Sequence, residues 1–107
     1  MPSRTNPLLG RWRITEMELW ETDFVDLLEP AYITFEAKGG GEFVFGAVCG
    51  DLDCRYGPDG VRFTWEGNDE MDPAFGAGSA KLTPDGLLTG EICFHRGDES
   101  TLKARKW

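Results

Sequence analysis

Leu52-Asp53-Cys54-Arg55-Tyr56-Gly57-Pro58-Asp59-Gly60-Val61-Arg62-Phe63-Thr64-Trp65-Glu66 is the stretch that decides the fold class. Leu52, Cys54 and Tyr56 fall on one face, with Asp53 and Arg55 on the other. Past the turn, Val61, Phe63 and Trp65 oppose Arg62, Thr64 and Glu66. Alternation with period two sets one face against a core and one in water, which is the pattern of a half-buried strand. Between the two runs, Pro58 presets φ and the flanking glycines accept positive φ. The segment therefore reads as an antiparallel hairpin.

The same punctuation recurs along the chain. Gly39-Gly40-Gly41 and Thr83-Pro84-Asp85-Gly86 are turn signals of equal quality, and Arg96-Gly97-Asp98-Glu99 is a weaker one. The runs between them predict eight strands, over 9–19, 31–37, 42–48, 51–57, 60–66, 74–82, 87–95 and 100–106. Trp12 and Ile14 share one parity while Met17 and Leu19 share the other, so a bulge or bend is expected near Thr15–Glu16. Trp20, Phe24, Leu27 and Leu28 recur at helical spacing, and Pro30 stops what they begin. That segment reads as one or two helical turns joining the first two strands. Consecutive hairpins in one short chain predict an all-β domain over residues 1–107, an up-and-down antiparallel barrel whose closure removes exposed edges. A β-sandwich is the alternative arrangement of the same hairpins.

The composition limits function more than it suggests one. With 19 acidic and 11 basic side chains the formal charge is −8. Such a field repels phosphate backbones and anionic lipid surfaces, so neither nucleic acid nor membrane is expected as a partner. The polar start, Met1 to Pro7, has no apolar run behind it and does not read as a signal peptide. Together with three cysteines, an odd number, this predicts free thiols in a reducing cytoplasm. The sequence holds no Gly-rich phosphate loop, nucleophile elbow or recognised metal motif. No catalytic residue, metal or cofactor is therefore assigned.

Leu9-Gly10-Arg11-Trp12 opens the first strand with a G-x-W, which resembles the start of the calycin barrels, the group of lipocalins, fatty-acid-binding proteins and avidins. The resemblance implies a tryptophan plugging one barrel end beneath a cation from the last strand. Here that implies Trp12 with Arg105, Lys103 being the second choice. It also implies a cavity, without specifying a ligand. The stretch from Trp65 to Pro73 is similar to a segment of short bacterial proteins and implies no activity.

The densest group of function-capable side chains is Glu66-Gly67-Asn68-Asp69-Glu70-Met71-Asp72, read as an acidic loop at one barrel mouth. Below it, Phe43, Phe45, Phe63 and Trp65 are expected to line a shallow cavity, with Asn68, Asp69, Glu70 and Asp72 at its rim. A cationic or hydroxylated small molecule suits such a site. A hard cation suits it less, because the spacing fits no EF-hand loop. The competing reading makes the aromatics core and the loop a solvated connection. Cys49 and Cys54 flank Gly50–Asp53, which reads as a hairpin loop that could bring the sulfurs together. Cys93 and His95 share a strand face within about 7 Å, without a third group to orient them. Glu16, Glu18 and Glu91 would face inward only if the bulge turned them. A second functional reading is an interaction module that docks a basic partner or forms a homo-oligomer, with Trp20 and Trp107 as exposed interface aromatics.

Overall fold

A computed structural model describes residues 7–58 and 60–107; Met1 to Asn6, and Asp59 of the turn quoted first, lie outside the described residues. The chain forms β1 (Gly10–Met17), α1 (Thr22–Val25), β2 (Tyr32–Phe35), β3 (Gly40–Phe45), β4 (Val48–Tyr56), β5 (Val61–Asp69), β6 (Asp72–Leu82), β7 (Leu88–Phe94) and β8 (Glu99–Lys106). Every strand pairs antiparallel with the next, and β8 returns to β1 to close an eight-stranded up-and-down barrel. The up-and-down order gives the barrel two distinct ends. One carries the β3–β4, β5–β6 and β7–β8 turns with α1. The other carries the β2–β3, β4–β5 and β6–β7 turns, the start of β1 and the end of β8.

Inward positions of the alternating runs fill the interior. Trp12, Ile14, Ile33, Phe35, Phe43, Phe45, Leu88 and Ile92 are all fully buried. An eight-stranded barrel is just wide enough for such side chains to meet across its axis. The expected bulge lies where β1 meets β8: Ile14 pairs with Ala104 and Glu16 with Lys103, leaving Thr15 extra. The extra residue resets the parity, so Met17 is buried along with Trp12 and Ile14. Glu16, Glu18 and Glu91 all stay exposed.

The structure corrects several boundaries. The third strand ends at Phe45, and a turn at Gly46–Ala47 starts β4 at Val48, three residues before the expected 51. No polar residue marks this turn; it is made by Gly46 at φ 56°, packed under the Phe24 ring. Cys49 and Cys54 consequently lie on one continuous strand, not across a loop. An odd offset points them to opposite faces, Cys49 exposed and Cys54 buried, and all three cysteines are free. The expected loop at 66–72 is mostly strand. β5 and β6 run on to a two-residue turn at Glu70–Met71, with φ 53° and 87°. Alternate burial stops at Trp65, but backbone pairing continues to Asp69↔Asp72. The tip projects past the core.

The connection after β1 holds a single helical turn. Val25 is its buried residue, while Leu27 and Leu28 of the expected apolar face are exposed. Arg13 donates two hydrogen bonds to the Asp26 carboxylate, at 2.8 and 2.7 Å, and the Ala31 amide donates a third at 2.9 Å. The Gly46 amide donates to the Val25 carbonyl at 2.7 Å. These bonds tie the connection across the barrel end. The Arg13 guanidinium, first through its hydrogen bonds, holds the Asp26 carboxyl below its ordinary range.

Candidate functional site

At the end that carries α1, Phe43, Phe45 and Trp65 come together as expected, but with one another. The Phe43 and Trp65 rings meet edge to face at 5.0 Å, and Phe43 and Phe45 stack at 5.6 Å. Phe94 joins through Trp65 at 5.1 Å, and Trp20 covers Phe45 at 5.1 Å. Phe63 lies further down the barrel against Phe35. All four expected lining aromatics are at most 4% exposed. Trp20 is half-buried in this cluster, so of the two tryptophans taken as exposed only Trp107, at 55%, is open. Asn68, Asp69, Glu70 and Asp72 all lie exposed on the projecting β5–β6 tip, where the Glu70 amide donates to the Ala47 carbonyl. The aromatic and polar halves of the expected site therefore face different ways, one into the core and one into solvent.

The plug at the other end forms with a different cation. Trp12 pairs with Lys106, whose Nζ sits 4.8 Å from the indole centroid and donates to the Leu9 carbonyl. Arg105 pairs with Arg13 on the outer face. The reason is parity: Trp12 points inward, so its cross-strand neighbour shares that side and the residue before it does not.

Two grooves mark the outer wall. The first, about 790 Å³, is bordered by Asp51, Asp53 and Glu66, with the ring of Phe75 stacked 4.6 Å from that of His95. Of the expected site residues only Trp65 lines it. Cys93, also in this groove, sits beside the Glu99 carboxylate; burial and that charge raise its thiol above the ordinary value. Cys93 and His95 share the face, as their spacing predicts, but His95 is taken up by Phe75.

The second groove, about 860 Å³, lies toward the opposite end and was not anticipated. Register assembles it. Arg55 on β4 stands directly opposite Arg62 on β5, Arg62 opposite Ser79 on β6, and Ser79 opposite Glu91 on β7. Two residues nearer the barrel end, Lys81 pairs with Thr89, and Thr89 with Lys103 on β8. The Gly57-Pro58 turn and Gly60 border the groove, and Gly90 is among its lining residues. Tyr56 donates its hydroxyl to the Glu36 carbonyl at 2.7 Å; burial pushes its phenol up to about 12, so it stays neutral. These cations lie on four different strands and each alternates with apolar residues, so no local motif announces them. One signal was readable: Arg55 and Arg62 are equidistant from the Gly57–Gly60 turn, which sets them face to face.

Among the described residues no helix is long and apolar enough to cross a membrane. Comparison with family models, with curated proteins and with solved structures gives no match for this chain.

Proposed function

We propose that this chain is a small non-enzymatic binding protein of calycin-like architecture that takes a small molecule on its outer wall. The observation that carries the reading is the second groove, whose volume of about 860 Å³ falls in the range of small-molecule sites. Two features support it. The Phe43–Phe45–Trp65–Phe94 cluster at the α1 end and Trp12, Phe35 and Phe63 toward the other end pack into one buried core, which leaves the walls as the place for a ligand. The groove also combines apolar backbone and side-chain surface with convergent polar groups from five strands, the composition by which binding sites fix a ligand's orientation.

The test is a thermal-shift screen with anionic, neutral and cationic compounds, repeated on Ser79→Trp, which fills the groove from its centre. A ligand of any class that raises the melting temperature of the wild type, and not of the variant, supports the site. No stabilisation by any class overturns it.

A second reading, docking of a basic protein segment, is favoured by the first groove. Phe75 is 54% exposed there beside Asp51 and Glu66, which stand directly opposite each other and form no ion pair among the described residues. Titration with a lysine-rich peptide containing one aromatic residue tests it. Binding that Glu66→Lys weakens several-fold supports it, and binding insensitive to that change overturns it.

A further inference from the structure

We infer that the ligand of the second groove is an anion with two linked phosphoryl groups, either inorganic pyrophosphate or a nucleoside diphosphate. The inference rests on the site proposed above and adds the ligand's chemistry. Its basis is a like-charge pair that forms no ion pair with any of the described residues. Arg55 and Arg62 are directly opposed on the outer face of β4 and β5. Side chains so placed have Cβ atoms about 5 Å apart, and like charges there repel. The described residues form two ion pairs, Arg11–Glu42 and Arg13–Asp26, and neither involves these arginines or Lys81 and Lys103. In a chain of net charge −8, the described residues lining this groove include four cations and one carboxylate, Glu91. An anion between the two guanidinium groups would turn the repulsion into attraction, and the planar fork of arginine matches phosphoryl oxygens two at a time.

The second phosphoryl group follows from spacing. Lys81 lies two residues beyond Ser79, the partner of Arg62, so it stands about 7 Å along the strands from the arginine pair. Lys103 lies a further two strands from Lys81 by way of Thr89. One phosphate meets the arginines alone, whereas two linked groups reach toward the lysines as well. The hydroxyls of Ser79, beside Arg62, and of Thr89, between the two lysines, supply neutral donors. Glu91, opposite both Ser79 and Thr101, repels an anion from the far end of the arginine row, which leaves the arginines and the Lys81–Thr89–Lys103 row to hold it.

Isothermal titration with inorganic phosphate, pyrophosphate, ADP and a single-stranded oligonucleotide tests the inference. Pyrophosphate should bind about tenfold or more tightly than phosphate; ADP against pyrophosphate tells whether the nucleoside adds contacts. Arg62→Gln should weaken pyrophosphate binding about tenfold or more, the range for loss of a charge-assisted hydrogen bond. Arg96→Gln changes net charge equally at the far end of the barrel and should leave affinity within about twofold. Equal losses in the two variants, no binding at about 5 mM pyrophosphate, or tighter binding of the oligonucleotide would each overturn the inference. If pyrophosphate fails while another ligand binds and Ser79→Trp abolishes it, the site stands and only its ligand class is wrong. If nothing binds, both fall.

Discussion

Replacing Gly50 by alanine tests whether the space under the aromatic cluster is filled. Gly50 sits on the inner face of β4, opposite Phe43 and Gly67. A methyl group built there lies 2.8 Å from Phe43 Cε2, 2.8 Å from Trp65 Cε3 and 2.9 Å from Phe43 Cζ. Carbon atoms settle near 3.5–4.0 Å, so both rings must move by roughly 1 Å. They have little room, because Phe43 and Trp65 already pack edge to face and against Phe45 and Phe94. Overpacking of this kind costs about 1–3 kcal/mol. The restricted unfolded chain returns about 0.5–1 kcal/mol of that for Gly→Ala. The net loss is roughly 1–2 kcal/mol, or a melting temperature lower by about 5–10 °C in a domain of this size. Calorimetry of Gly50→Ala beside Gly57→Ala is the assay. Among the described residues the Gly57 methyl would meet the Gly60 carbonyl oxygen alone, at 3.9 Å, and the change should be neutral or mildly stabilising. If Gly50→Ala melts at or above the wild type, the rings have free space beside them, and a ligand chamber inside the barrel replaces the filled interior argued above.

Two further outcomes follow from the charge and thiol environments. The Asp26 carboxyl is held below its ordinary 3.8 by Arg13, so its contribution is present above that pH and is lost as pH falls through the lower, folded-state value. Asp26→Asn should therefore lower stability by about 1 kcal/mol near neutral pH, discounted for the pair's partial exposure. The difference from wild type should shrink in acid; a gap that is constant from pH 7 to pH 2 refutes the assignment. Among the thiols, burial pushes Cys54 up to about 11, whereas Cys49 is exposed. A disulfide reagent at pH 8 should modify Cys49 first, Cys93 more slowly and Cys54 only on unfolding. Modification of Cys54→Ser at two sites, one fast and one slow, and none at Cys54 in the folded wild type, is the expected mass-spectrometric pattern.

Much of the barrel was legible because its evidence is local. Alternation in Val61–Trp65, the Gly-Pro punctuation and the parity change across Thr15 each depend on a few neighbouring residues, and each reappears in the strands, turns and bulge. The errors lie where local signals were silent or ambiguous. Val44 to Val48 is apolar throughout, so the turn at Gly46 was invisible until Phe24 and Val25 folded over it. Asn68 to Asp72 looks like a loop because all its side chains but Met71 are polar, yet polar residues also suit a hairpin arm with no core on either side. The plug cation was missed by one residue, and one residue is enough to turn a strand side chain to the other face.

The sequence by itself determined the class of fold, since hydrophobic periodicity and turn chemistry act over a few residues, and eight hairpin-linked runs leave few ways to cover their edges. Only the tertiary structure decided where a ligand could sit. Phe43, Phe45 and Trp65 had the composition of a binding wall, but closure turned them toward one another and filled the space. Arg55, Arg62, Lys81 and Lys103 had no common motif, but the register of five neighbouring strands laid them along one groove. Which side chains share a surface is set by the register of each strand on the next, and that information is held in the closed sheet.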